Sequence, residues 1–115
     1  MNRTLLLTAA AGLFSLGLLG VSRAADKDEK AGATLMLKAA QRGSPIAQNR
    51  VAHILADGRG LPANPGEAMK WHIIAKKDGR GDPELDAFMA RQKQEDRTKA
   101  EVAATRWLAS TRPNP

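Results

Sequence analysis

Three stretches of this chain recur in the same order at a spacing of 36 to 38 residues, and that repetition limits the fold more than any other feature. Leu35-Met-Leu-Lys-Ala39-Ala-Gln-Arg-Gly43 is matched 36 residues later by Trp71-His-Ile-Ile-Ala75-Lys-Lys-Asp-Gly79. In both, a large apolar residue is followed by alanine four places on and glycine eight places on. Pro45-Ile-Ala-Gln-Asn-Arg-Val51-Ala52 is matched 38 residues later by Pro83-Glu-Leu-Asp-Ala-Phe-Met89-Ala90. Ala68-Met-Lys-Trp71 returns at 36 as Ala104-Thr-Arg-Trp107. An extra two residues near Gly81 are offset by two fewer near Gln94. Fixed periods of this length belong to stacked supersecondary units.

Local signals make those units helical. Pro45, Pro65 and Pro83 suit a first helical turn, with Ser44, Asn64 and Asp82 just ahead as caps. Gly43, Gly58 and Gly79 stand where helices should stop, because glycine accepts positive φ. The pattern predicts helices at about 30–42, 45–56, 65–77, 83–92 and 96–110. Ala47, Val51 and Leu55 share one face, as do Ala68, Trp71 and Ala75, and Ala100, Ala104, Trp107 and Leu108. Much of the 43 % apolar content is alanine, which favours helix and lets helices approach closely. The implied fold class is all-α, a short α-solenoid of antiparallel helix pairs.

The first 24 residues read differently. Arg3 gives a charged start, Leu5 to Leu19 is an apolar run, and Ser22-Arg23-Ala24 offers small residues where signal peptidase needs them. A cleaved secretory signal over 1–24 is expected, with the cut after Ala24 or after Ala25. A retained anchor is the alternative, although Gly12, Gly17 and Gly20 interrupt the run. One arginine rather than a pair argues against twin-arginine export. The remaining expectations are a polar linker at 25–32, a helical repeat domain at 33–110 and a disordered tail at 111–115. Location would then be periplasmic or secreted.

The repeat also carries a resemblance. Ala40-x-x-Gly43-x-x-x-Ala47-Gln48, then Gly58-Arg59-Gly60-Leu61-x-x-Asn64, then Glu67-Ala68-x-x-Trp71-x-x-x-Ala75-x-x-x-Gly79, resembles the Sel-one-like repeat, a relative of the tetratricopeptide repeat. The match spans one full unit, about residues 40–79, with partial units on either side. It departs from the family at Val51-Ala52, where leucine-glycine is usual, at Leu55, where an aromatic is usual, and at Asn64, where aspartate is usual. The last unit has Gln92-Lys-Gln-Glu-Asp96 in place of the glycine turn, as a terminal cap would. The resemblance implies an α-solenoid adaptor for other proteins and transfers no catalytic residue.

Chemistry-bearing motifs are sparse. There is no cysteine, so disulfides, thiolate catalysis and thiolate metal sites are excluded. Without Arg3 and Arg23 the 18 basic residues become 16 against 12 acidic ones, a mild excess with no dense basic stripe. That argues against nucleic-acid binding. His53 and His72 fall on different helices and read as solvent-facing or rim residues, with too few ligands nearby in sequence for a metal. Gly58-Arg59-Gly60 lacks the Lys-Ser/Thr of a phosphate loop and reads as a turn. No serine has the context of a catalytic nucleophile. Trp71 and Trp107 read as core. Glu84, Asp86 and Asp96 read as first-turn acids at the positive ends of helices, and Lys70, Lys76 and Lys77 as their basic counterpart at a C-terminus.

The functional expectation is an exported scaffold that binds another protein, acidic or of mixed charge, without catalysis, metal or cofactor. First-helix positions left over from the core place Arg50 and His53 on one helix and Phe88 and Arg91 at matching positions on the next, as the binding face. Contact with a membrane is expected only through an uncleaved signal. The alternatives are a self-associating or structural envelope subunit, since so few repeats leave an unfinished end, and an envelope hydrolase, for which no constellation is present.

Overall fold

A computed structural model describes residues 26–112. Among them there are five helices and no strand. Helix α1 runs through residues 26–41, followed by α2 (Pro45–Asp57), α3 (Pro65–Lys77), α4 (Pro83–Ala90) and α5 (Gln94–Thr111). The segment 1–24, with the expected cut at Ala24 or Ala25, lies outside the described residues. No described helix is long and apolar enough to cross a membrane.

Three helices start the same way. Ser44, Asn64 and Asp82 each accept a hydrogen bond from the backbone N–H three residues on, at Ala47, Glu67 and Leu85, and each is followed by proline. Chain reversals repeat as well. Ser44 N–H reaches Ala39 O at 3.2 Å, and 36 residues later Arg80 N–H reaches Ala75 O at 2.8 Å. Gly43 and Gly79 lie at those two places with φ of 97° and 91°. The sequence period is therefore also a period in backbone hydrogen bonding.

Helix α2 packs on α3, α3 packs on α5, and α4 lies across α2 and α3. Eight of the fourteen buried apolar side chains among the described residues are alanine, so the few large ones carry most of the packing. Trp71, 2 % exposed, is the largest. It meets half-buried Trp107 edge-on, with centroids 5.2 Å apart and planes at 71°. The two tryptophans related by the repeat thus touch one another across α3 and α5.

Residues 26–32 are helical rather than the expected linker, and the cause is tertiary. The Gly58–Gly60 turn closes onto α1. A Cβ at Gly60 would lie 2.7 Å from the Glu29 carbonyl oxygen and 2.8 Å from the Ala33 Cβ. Arg59 pairs with Glu29 at 3.6 Å, and Ala33 is buried. A sequence window sees only a polar stretch there. At the other end Thr111 completes α5 and Arg112 pairs with Asp78, so the ordered part outlasts the expected boundary at 110.

The last unit replaces the glycine turn with side chains. The Arg97 guanidinium donates to Gln92 O at 2.6 Å and to Ala90 O at 3.3 Å, satisfying carbonyls at the end of α4.

Removing the main anchor should be severe. Trp71→Ala is expected to lower stability by about 3–5 kcal/mol, a large fraction of what a domain this size has. The denaturant midpoint reads the loss, and an unchanged midpoint would place Trp71 outside the core.

Candidate functional site

Helix α4 is short and buries only Leu85 among its side chains. A single buried leucine contributes about 1.5–3 kcal/mol, so polar contacts matter to its docking. Both histidines of the chain supply them. His53, on α2, places Nε2 2.6 Å from Asp82 Oδ2, and Asn49 Nδ2 donates to the same oxygen at 3.0 Å. The other oxygen, Asp82 Oδ1, accepts from the Leu85 N–H at 3.1 Å and caps α4. One turn further, His72 on α3 places Nε2 2.7 Å from Asp86 Oδ1, where Lys76 Nζ also donates at 3.0 Å.

His72 is therefore not the solvent-facing residue expected from the sequence. It is 2 % exposed, because α4 lies over it and Asp86 takes its ring nitrogen. His53 is about one-third exposed. Helical periodicity reveals only partners one turn away, whereas these partners are 29 and 14 residues distant. The only trace in the sequence was that Asp82 and Asp86 both fall in the capping region of one short helix. The basic cluster also divides. Lys70 pairs with Glu67 at 2.7 Å and sits 4.7 Å over the Trp71 ring, while Lys76 goes to Asp86.

Burial alone would raise the Asp82 carboxyl. Donation from Asn49, His53 and the Leu85 N–H outweighs it and holds the carboxyl well below the usual carboxylate range. Asp86 is lowered as well, first by Lys76 and then by His72. A ligand nitrogen of His53 and oxygens of Asp82 and Glu84 all lie within 4.8 Å of one another, so these are residues that could together hold a metal ion.

Beside His53 an open groove of about 430 Å³ runs between α1 and α2. Ala33 and Met36 line it from α1, and Arg50, His53 and Ile54 from α2, with Arg59 at the rim. Of the four residues expected to form a binding face, the structure brings Arg50 and His53 together here. Phe88 packs against the core instead, and Arg91 is exposed at the end of α4. Neither lines the groove.

Compared with known proteins, the chain matches no family model, and neither curated proteins nor solved structures give a significant match.

The Asp82 network has a pH signature. Its carboxyl titrates lower in the folded chain than in the unfolded one. Its contribution is therefore complete above the unfolded value of about 4 and is lost as pH falls below it. Asp82→Asn keeps a capping oxygen but gives up the charged bonds, at an expected cost of about 1–3 kcal/mol at pH 7. The gap between wild type and variant should narrow toward pH 3 in denaturant titrations. An equal gap at both pH values would mean that the charge of Asp82 contributes nothing.

Proposed function

We propose that this chain is an exported α-solenoid scaffold of the Sel-one-like kind that binds another protein in the groove between α1 and α2, without catalysis. The observation that carries the reading is the combination of a repeated helix-pair pattern with a groove into which Arg50 and His53 both face. Four further features support the solenoid. The capping bonds repeat, the Ser44 and Arg80 backbone bonds stand 36 residues apart, Trp71 meets Trp107, and the glycine turn seats on α1. Stacked helix pairs of this type leave first-helix faces free for partners.

The groove wall offers apolar contact through Met36 and Ile54 and charges of both signs through Arg50 and Asp57, with Arg59 and Glu29 paired at its edge. A mixed-charge segment fits that lining, and its association should slow as salt rises. Export rests on the charged start, the apolar run and the small residues around Ala24. A second reading, a self-associating subunit, draws on Leu35. It is 62 % exposed although its repeat counterpart Trp71 is buried. Sedimentation over a concentration series tests this second reading, which requires a mass that rises with concentration.

Partners recovered from envelope extract with wild-type protein should be weakened at least tenfold by Arg50→Glu, about 1.4 kcal/mol. Arg91→Glu, outside the groove, should leave them in place. Retention of the same partners by Arg50→Glu, with folding intact, would remove the groove from consideration.

A further inference from the structure

The two histidine–aspartate pairs that hold α4 sit beside opposite charges. At His72 and Asp86 the third group is the Lys76 ammonium, 3.0 Å from the shared carboxylate oxygen. At His53 and Asp82 the shared oxygen accepts from the neutral Asn49 amide, and a second carboxylate, Glu84, lies within 4.8 Å. Among the described residues Glu29, Glu67, Asp78, Asp86 and Glu95 each have a lysine or arginine partner. Asp82 and Glu84 have none, as is also true of Asp26, Asp28, Asp57, Asp96 and Glu101, but only Asp82 and Glu84 lie together beside an imidazole; the only ion-pair partner of Asp82 there is His53. Two carboxylates beside one imidazole nitrogen bring up to two negative charges together. The N-terminus of α4 supplies only about half a positive charge against them. A divalent cation offsets them more fully.

We propose that His53, Asp82 and Glu84 form a binding site for one divalent transition-metal ion, with Zn²⁺ the best fit. The donor set is one imidazole nitrogen and two carboxylate oxygens. Magnesium and calcium prefer oxygen alone, whereas imidazole suits zinc and its neighbours. Three protein ligands leave a fourth position for water. The ligands come from two helices that already pack on one another, so most of the ordering is done by the fold. Asn49 Nδ2 and the Leu85 N–H fix the Asp82 carboxylate from two sides, as outer hydrogen bonds do around metal ligands. On binding, His53 Nε2 and Asp82 Oδ2 would exchange their mutual hydrogen bond for bonds to the same ion. Their 2.6 Å separation would then open to roughly 3.3 Å, given metal bonds of about 2.0–2.2 Å. The partial exposure of His53 at the groove gives an ion its way in. This site shares His53 with the groove but does not rest on the protein-binding reading.

The test is to titrate Zn²⁺ alone into the untagged, chelator-treated full chain by calorimetry, and Co²⁺ alone with visible absorption as a second readout. One ion per chain is expected, with the ligand-field bands of four-coordinate cobalt. Glu84 is exposed and takes no part in capping α4, so Glu84→Gln should fold normally. It should weaken binding at least about tenfold, the scale of even an outer-shell loss. His53→Ala should weaken it at least as much, while Lys76→Gln, at the other pair, should leave it unchanged. No saturable binding by the wild type, or binding that survives both Glu84→Gln and His53→Ala, would overturn the proposal.

Discussion

The contact on which the α1–α2 groove depends is made by backbone. Gly60 comes so close to α1 that a methyl group in its place would meet the Glu29 carbonyl oxygen and the Ala33 side chain. Only glycine satisfies both that approach and the φ of 91° at this turn. The turn therefore does two things. It reverses the chain between α2 and α3, and it clamps the preceding helix against α2. Without that clamp the polar residues 26–32 would have little reason to stay helical, and the wall formed by Ala33 and Met36 would not face Arg50 and His53.

Farther along, apolar packing gives way to polar packing. Helix α3 is seated by Trp71, Met69 and Ile74, all nearly inaccessible, whereas α4 has a single buried leucine. Two histidines reach α4 from different helices and each ends on an aspartate of its first turn or cap. This division makes α3 the centre of the structure and α4 an element whose position responds to charge. The candidate site lies where the two regimes meet, between α2 and the start of α4.

The repeat made much of the helical layout legible in advance. Ser44, Asn64 and Asp82 are capping residues followed by proline, which is local chemistry, and the sequence alone identifies them. Trp71 and its alanines, Ala68 and Ala75, follow from helical spacing. What sequence could not supply was whatever depends on two distant segments meeting. The helix at 26–32 is held by a turn some thirty residues later. The partners of His53 and His72 come from a different helix, so no i+4 rule finds them. The role of Arg97 was hidden for the same reason, since it replaces a glycine turn with a guanidinium that reaches back to Ala90 and Gln92. Phe88 matched Arg50 in repeat position yet turns to the core, because α4 has so little else to bury.

The α1–α2 groove depends on the seating of that glycine turn, and one comparison isolates it. Gly43 and Gly60 both have strongly positive φ, but a Cβ at Gly43 would meet nothing within 4 Å. Alanine at either position carries the backbone strain of about 1–2 kcal/mol. Only at Gly60 does it also push against α1. Denaturant midpoints of Gly43→Ala and Gly60→Ala should therefore differ, with Gly60→Ala the less stable by a further 1–3 kcal/mol or about that. Equal midpoints would show that the turn does not bear on α1, and would contradict the packing that forms the α1–α2 groove.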